Sequence, residues 1–336
     1  MKKLLFPAIA LSFIFSSCSN EVDVIADWKE TPIIYGLLTL DSTNQYIKLY
    51  KAFLDEETSA LEIAQNPDSF YYQYDVEVYL EKKSNGQRID LVKTEIAPLD
   101  DDGDFATTPN IIYKFTETLS QNETYIFHFN NTLTGKTATS ETPIVNDFLI
   151  NFPPEGYDFN FTIQNPINIQ WKSAKHGKVC DLVFRFTYDE WNINTPSDAT
   201  TKSVEWKVAG NIVSNSTVGG EQLSARLDGA SFYTSLKSLI PENSELRRRA
   251  VTRPIELLFY VGGEELYNFI RVNQAQSGIT SLQTLPEYTN VTGGLGIFSS
   301  RKYKLREDLG MNNVSLDSLS CGFVTGNLNF VNRNCN

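Results

Sequence analysis

The sequence predicts a mainly β protein built as two strand-rich bodies in series, the second carrying two or three short helices. Three observations carry that expectation. Val76, Val78 and Leu80 alternate with Glu77, Tyr79 and Glu81, and similar alternation recurs along the chain; a period of two gives a strand one dry face and one wet one. Turn-forming residues separate these stretches, among them Asp41-Ser42-Thr43-Asn44 and Asn85-Gly86, the latter a strong hairpin signal between alternating runs. Hydrophobic residues make up 41% and aromatics 12% of the chain, against 21% charged, enough to fill a core rather than remain a disordered tail. A length of 336 residues is long for a single core, so two domains are expected, at 31–145 and 146–336.

Ahead of them, Lys2 and Lys3 precede an apolar run from Leu4 to Phe15, then Ser16, Ser17 and Cys18. Charged, apolar and small residues in that order are an export signal. As a helix the run would span roughly 18 Å, too short for a hydrocarbon core of about 30 Å. Residues 1–18 therefore read as a removable signal. A small residue before a cysteine resembles the lipobox of bacterial lipoproteins, with Phe15 where leucine is commonest, and that resemblance implies lipidation of Cys18; the alternative is an ordinary signal beside an incidental cysteine. Residues 19–30 are polar and acidic and read as a tether. Glu21 and Asp23 in that tether resemble a weak form of the acidic surface-export signal of Bacteroidota lipoproteins. Loss of Lys2 and Lys3 takes the net charge from −12 to −14, which argues against nucleic acid or anionic headgroups as partners of the body.

In the first domain, Ile33–Leu40 and Tyr46–Phe53 read as strands. Between Asp55 and Phe70, Ser59 and Glu62 suggest a capping box, with Pro67 as the stop of one short inserted helix. Asp100, Asp101, Asp102 and Asp104 surround Gly103. Clustered carboxylates suit a hard cation, so Asp100, Asp102 and Asp104 are a weak candidate site, but the order of an EF-hand loop is absent and a solvated loop tip is the better reading. Leu119 stands six residues before Tyr125, which opens the apolar run to Phe129. This resembles the tyrosine corner of immunoglobulin and fibronectin type III sandwiches, in which the tyrosine hydroxyl ties back to the backbone; a chance spacing in a surface hairpin is the alternative. The resemblance implies an immunoglobulin/fibronectin-III-like β-sandwich closing near Val145. His128, within the strand, has no partner cluster and reads as a surface or satisfied residue.

The second domain opens with Phe148–Phe152 and then Ile167, Ile169 and Trp171, alternating toward a core. Val179–Tyr188, Val204–Val208 and Ile255–Val261 are further strands; Phe232, Leu236, Leu239 and Ile240, stopped by Pro241, form a helix, as do Leu266, Tyr267, Phe269 and Ile270. The run Arg247-Arg248-Arg249 could grip a phosphate or carboxylate, but a solvated face paired with nearby acids is the simpler reading. Cys321 and Cys335 could close a C-terminal loop worth roughly 3 kcal/mol in an oxidising compartment, leaving Cys180 odd and buried; connectivity is not fixed by sequence, and none of the three need pair.

Tyr288 and Asn290 precede Gly293-Gly294-Leu295-Gly296, followed by Ile297-Phe298. A nucleotide fingerprint would need a third glycine and a strand-turn-helix context, so the glycines more simply let a strand bend or approach its neighbour closely. The pattern resembles the C-terminal signature of Bacteroidota envelope lipoproteins grouped as domain-of-unknown-function 4249, with the Asp55–Phe70 insertion and the tail after Arg301 as departures. The resemblance implies a lipid-anchored outer-membrane location, facing the periplasm or the cell surface, and association with TonB-dependent transporters, and implies no catalytic residues. Asp41-Ser42-Thr43 and Asp317-Ser318-Leu319 resemble the Bacteroidota O-glycosylation acceptor at Ser42 and Ser318.

Neither HExxH nor GxSxG occurs, and His128 and His176 are the only histidines, which leaves little for a Ser/His or Cys/His pair or for a structural zinc site. No motif asks for a cofactor. The expected function is a non-enzymatic binding or accessory module for a transporter or glycan. The alternatives are a carbohydrate-active hydrolase using an Asp/Glu pair and a purely structural or adhesive surface module.

Overall fold

A computed structural model describes residues 30–52, 58–98, 103–162, 166–276 and 288–335. The chain is mainly β, as its alternation requires. In the first half β1 (Pro32–Thr39), β2 (Asn44–Lys51), β3 (Glu77–Lys82), β4 (Arg88–Asp90), β5 (Val92–Ile96), β6 (Asn110–Thr116), β7 (Thr124–Asn130) and β8 (Thr137–Pro143) follow in order. They form two sheets, β5-β6-β2-β1 and β4-β3-β7-β8. Lettered A, B, C, C′, D, E, F and G along the chain, these are the D-E-B-A and C′-C-F-G sheets of an immunoglobulin-like sandwich. Tyr125 is the second residue of strand F, is fully buried, and its hydroxyl accepts a hydrogen bond from the Ser120 N–H at 3.2 Å, so the expected tyrosine corner is formed.

The inserted segment departs from expectation. Ser59 occupies the N-cap of α1 (Ala60–Ala64) but makes no side-chain capping bond. Pro67, read as a stop, instead opens a second helix, α2 (Pro67–Phe70), whose N-cap Asn66 accepts from the Asp68 N–H at 3.1 Å. Proline is well suited to a first helical position, where its missing N–H costs no bond.

The second half repeats the arrangement. It contains β9 (Ile150–Phe152), the short β10 (Asp158–Phe159), β11 (Ile167–Lys172), β12 (Gly177–Asn192), β13 (Thr200–Val213), β14 (Gln222–Leu227), α3 (Gly229–Leu239), β15 (Leu246–Gly263), α4 (Glu264–Gln276), β16 (Leu295–Met311) and α5 (Asn313–Cys321). One sheet is β14-β11-β9, and the facing one is β13-β12-β15-β16. Trp171 on β11 is buried between them against Phe259 of β15, ring centroids 5.2 Å apart. α5, the third short helix of this half and one whose position the sequence did not indicate, is capped by Asn312 accepting from the Ser315 N–H.

The two cores divide between Ile144 and Val145, with one crossing: Val291 and Phe298 belong to the first core. The reason is β16. Its first half pairs in parallel with β1, Leu295 opposite Ile33 through Arg301 opposite Thr39, while its second half pairs antiparallel with β15 from Arg301 to Leu309. One strand thus serves both sandwiches and fuses their sheets into a single nine-stranded sheet. The glycine run makes the crossing sterically possible. Gly296 has φ +97°, and a Cβ there would stand 2.0 Å from the Ile34 carbonyl oxygen. Asn290 fixes the entry by accepting from the Phe298 N–H and donating to the Phe298 carbonyl.

The arginine run is corrected in part. Arg248 is fully buried rather than solvated, and holds Glu190 at 2.8 Å. It also donates to the Leu328 and Pro241 carbonyls, so Arg248 ties down the C-terminal tail, while Arg249 stays exposed as expected.

Candidate functional site

A groove of about 760 Å3 runs across the fused sheet where the two sandwiches meet. Each of five neighbouring strands contributes to its floor: β1 gives Leu37 and Thr39, β16 Arg301 and Tyr303, β15 Tyr260 and Gly262, β12 Val179, Asp181 and Arg185, and β13 Lys207 and Asn211. Strand alternation explains the set, because Gly262 and Tyr260 stand opposite Arg301 and Tyr303 across the ladder and share its outer face. One wall is α4, which presents Leu266, Ile270 and Gln274. The helix is docked by the Leu266 N–H donating to Ser299 Oγ, by Tyr288 donating to Glu265, and by Phe269 against Tyr35. On the other side of Arg301 a second hollow of about 450 Å3 is lined by Tyr35, Tyr46, Leu266 and Phe269.

Most charges in the groove are already committed. Asp41 is ion-paired with Lys302 and accepts from the Tyr303 N–H at 2.6 Å and the Thr39 hydroxyl at 2.9 Å. Asp181, at a register shift in β12, binds Lys207 and accepts from the Asn211 N–H at 2.7 Å. Arg185 bridges Glu205 and Glu256, 2.6 Å from each. Burial, helped by the neighbouring Tyr260, pushes the Tyr303 hydroxyl above its ordinary value, so it remains a donor. Among the described residues Arg301 is the one groove cation with no carboxylate partner.

The residues singled out in the sequence fall elsewhere, apart from Ser42. Cys18, Asp100 and Asp102 lie outside the described residues. Asp104 is exposed, and its backbone carbonyl accepts from Gln65; among the described residues no three metal-ligating side chains cluster. Ser42 is exposed at the groove's rim, its hydroxyl accepting from the Asn44 N–H, whereas Ser318 is half-buried on α5. Cys321 and Cys335 are joined in a disulfide, Cα atoms 5.4 Å apart, and Cys180 is free and buried, with burial pushing its thiol well above the ordinary value. His128 lies flat on Tyr79, ring centroids 4.5 Å apart. The groove itself went unread in the sequence. Its available signal was the outward half of the alternation, where Tyr260 and Tyr303 occupy positions expected to be wet.

Among the described residues no helix is long and apolar enough to cross a membrane. No protein-family model matches the chain, and no curated protein matches it. Among solved structures, it is similar to the C-terminal globular domain of an oligosaccharyltransferase from Pyrococcus abyssi, with 13% identity and a TM-score of 0.24 over 68% of this chain. The chain spans 47% of that structure's length.

Proposed function

We propose that the protein is a non-enzymatic, lipid-anchored envelope protein whose fused sandwiches act as a binding or accessory module beside a TonB-dependent outer-membrane transporter. The anchor rests on the order of Lys2, Lys3, the apolar run and Cys18. The binding role rests on one observation: an open groove of ligand size whose acids are already paired, since binding sites commonly occupy about 300–1,000 Å3 where bodies meet. A glycoside hydrolase needs two carboxylates facing a shared substrate, one of them free to give up a proton. Asp41 and Asp181 are instead each taken up by a lysine and a backbone N–H, which favours recognition over hydrolysis.

Affinity purification from outer membranes solubilised in mild detergent tests the reading. Recovery of a β-barrel transporter in near-stoichiometric amount supports it, and recovery of the protein alone counts against it. Labelled palmitate should enter the wild type and not Cys18→Ala, which should leave the membrane fraction.

A further inference from the structure

We propose that the groove takes an extended peptide segment bearing an acidic side chain, with the carboxylate held by the Arg301 guanidinium. The inference rests on the reading of the protein as a binding module and names its ligand. Three features of the groove support it.

The first is charge. Arg185, Lys207 and Lys302 all face carboxylates of this chain, whereas Arg301 faces none among the described residues. The chain carries a net charge of −12, so a guanidinium lining a groove with no carboxylate of its own offers an anion a partner that the neighbouring cations do not. A guanidinium offers a planar fork of donors matched to a carboxylate.

The second is position. Arg301 lines both hollows, about 760 and 450 Å3, and so stands between them. A ligand bound there through its middle has room to continue in both directions. A small carboxylate such as a short fatty acid or a sugar acid would fill one side and leave the other empty.

The third is the chemistry flanking the charge. Leu37, Val179 and Ile270 supply aliphatic surface, while the Asn211 side-chain amide and the Tyr260 hydroxyl make no hydrogen bond among the described residues, Asn211 bonding Asp181 through its backbone N–H alone. Aliphatic surface interrupted by amide and hydroxyl groups matches a chain in which side chains alternate with peptide bonds, and an extended chain advances about 3.3 Å per residue.

The test uses the full-length protein purified from its own membranes in detergent, titrated with N-acetylated, C-amidated pentapeptides. Their central residue is glutamate or glutamine, and the flanking positions are leucine, valine or tyrosine. Glutamate peptides should bind about tenfold more tightly than their glutamine counterparts, as expected for a charge-assisted pair. R301Q should abolish that preference, and R301K should retain part of it. Arg301 is exposed, so unchanged circular dichroism should accompany both variants. Equal binding of the two peptide series by the wild type, a preference surviving R301Q, or tighter binding of hexanoate or glucuronate than of every peptide would each overturn the proposal. A transporter that co-purifies while peptides fail to bind would leave the accessory-module reading standing without this ligand; discrimination between peptides with no co-purifying transporter would do the reverse.

Discussion

Arg248 and Glu190 meet at 2.8 Å beneath the C-terminal tail, with side-chain exposures of 0% and 9%. Lys202 takes the other Glu190 oxygen at 2.5 Å from the solvent side. Breaking a buried pair from one side strands a charge and costs about 3–5 kcal/mol, whereas replacing both partners with apolar or neutral groups is often close to neutral. Glu190→Gln should therefore lower stability toward urea by about that amount, and adding Arg248→Met should cost less than the sum of the two single losses, with the orphaned Leu328 and Pro241 carbonyls keeping it short of full recovery. Additive losses in the double variant would show that the pair does not act as a unit.

Acid should weaken the fold in two stages. Burial and the nearby Arg88 hold His128 below its ordinary value, outweighing Glu81, which lies 3.5 Å away and acts in the opposite sense. Between the folded and unfolded values the unfolded chain binds the proton more readily, so stability falls with pH from about 6.5 downward. Burial pushes the Glu190 carboxyl up, but hydrogen bonds from Lys202 and Arg248 reverse this and hold it below the ordinary value. Its contribution is complete above about pH 4.3 and is lost as pH drops through the lower folded value. Burial holds His176 below its ordinary value as well, so urea midpoints measured from pH 8 to pH 3 should show both stages, with His128→Gln shrinking only the first and added His176→Gln removing it.

Gly296→Ala should be far more damaging than Gly86→Ala. Both glycines have positive φ, +97° and +71°, but a Cβ at Gly86 meets nothing within 4 Å whereas one at Gly296 would strike the Ile34 carbonyl. Backbone strain alone costs about 1–3 kcal/mol; the clash adds to it at Gly296 only. Hydrogen exchange should quicken at the amides of β1 and the first half of β16 in Gly296→Ala, and equal losses in the two variants would remove the case for close approach.

Tyr125→Phe leaves the ring in place and deletes only the acceptor for the Ser120 N–H. Ser120 is exposed and the bond only part-buried, so water can take up the freed N–H and the loss is about 0.5–1.5 kcal/mol. A thermal-unfolding shift should appear in Tyr125→Phe and be absent in Tyr46→Phe, whose ring is 51% exposed.

The sandwiches were legible because half-buried strands record their two faces in every second residue, and because Tyr125 and Asn85-Gly86 impose local geometry. Contacts that depend on distant residues were not. Nothing local to Ile33 indicates that its partner is Leu295, and nothing around Arg248 reveals an acid at Glu190 or a tail whose Leu328 carbonyl accepts its guanidinium. The glycine run lay between these cases, since close approach could be inferred from Gly293, Gly294 and Gly296 while the strand approached could not. The groove was the least legible feature, because its floor draws only two or three residues from each of five strands.

The shared strand also has a mechanical meaning. A pull on the chain ahead of Pro32 runs lengthwise down β1, whose bonds to β2 and β16 are then loaded side by side and must yield together. A hairpin drawn apart from its open end would lose its bonds singly. Tension entering at the first sandwich passes through Arg301 straight into β15 of the second, so the two bodies bear load as one beam rather than as beads on a string.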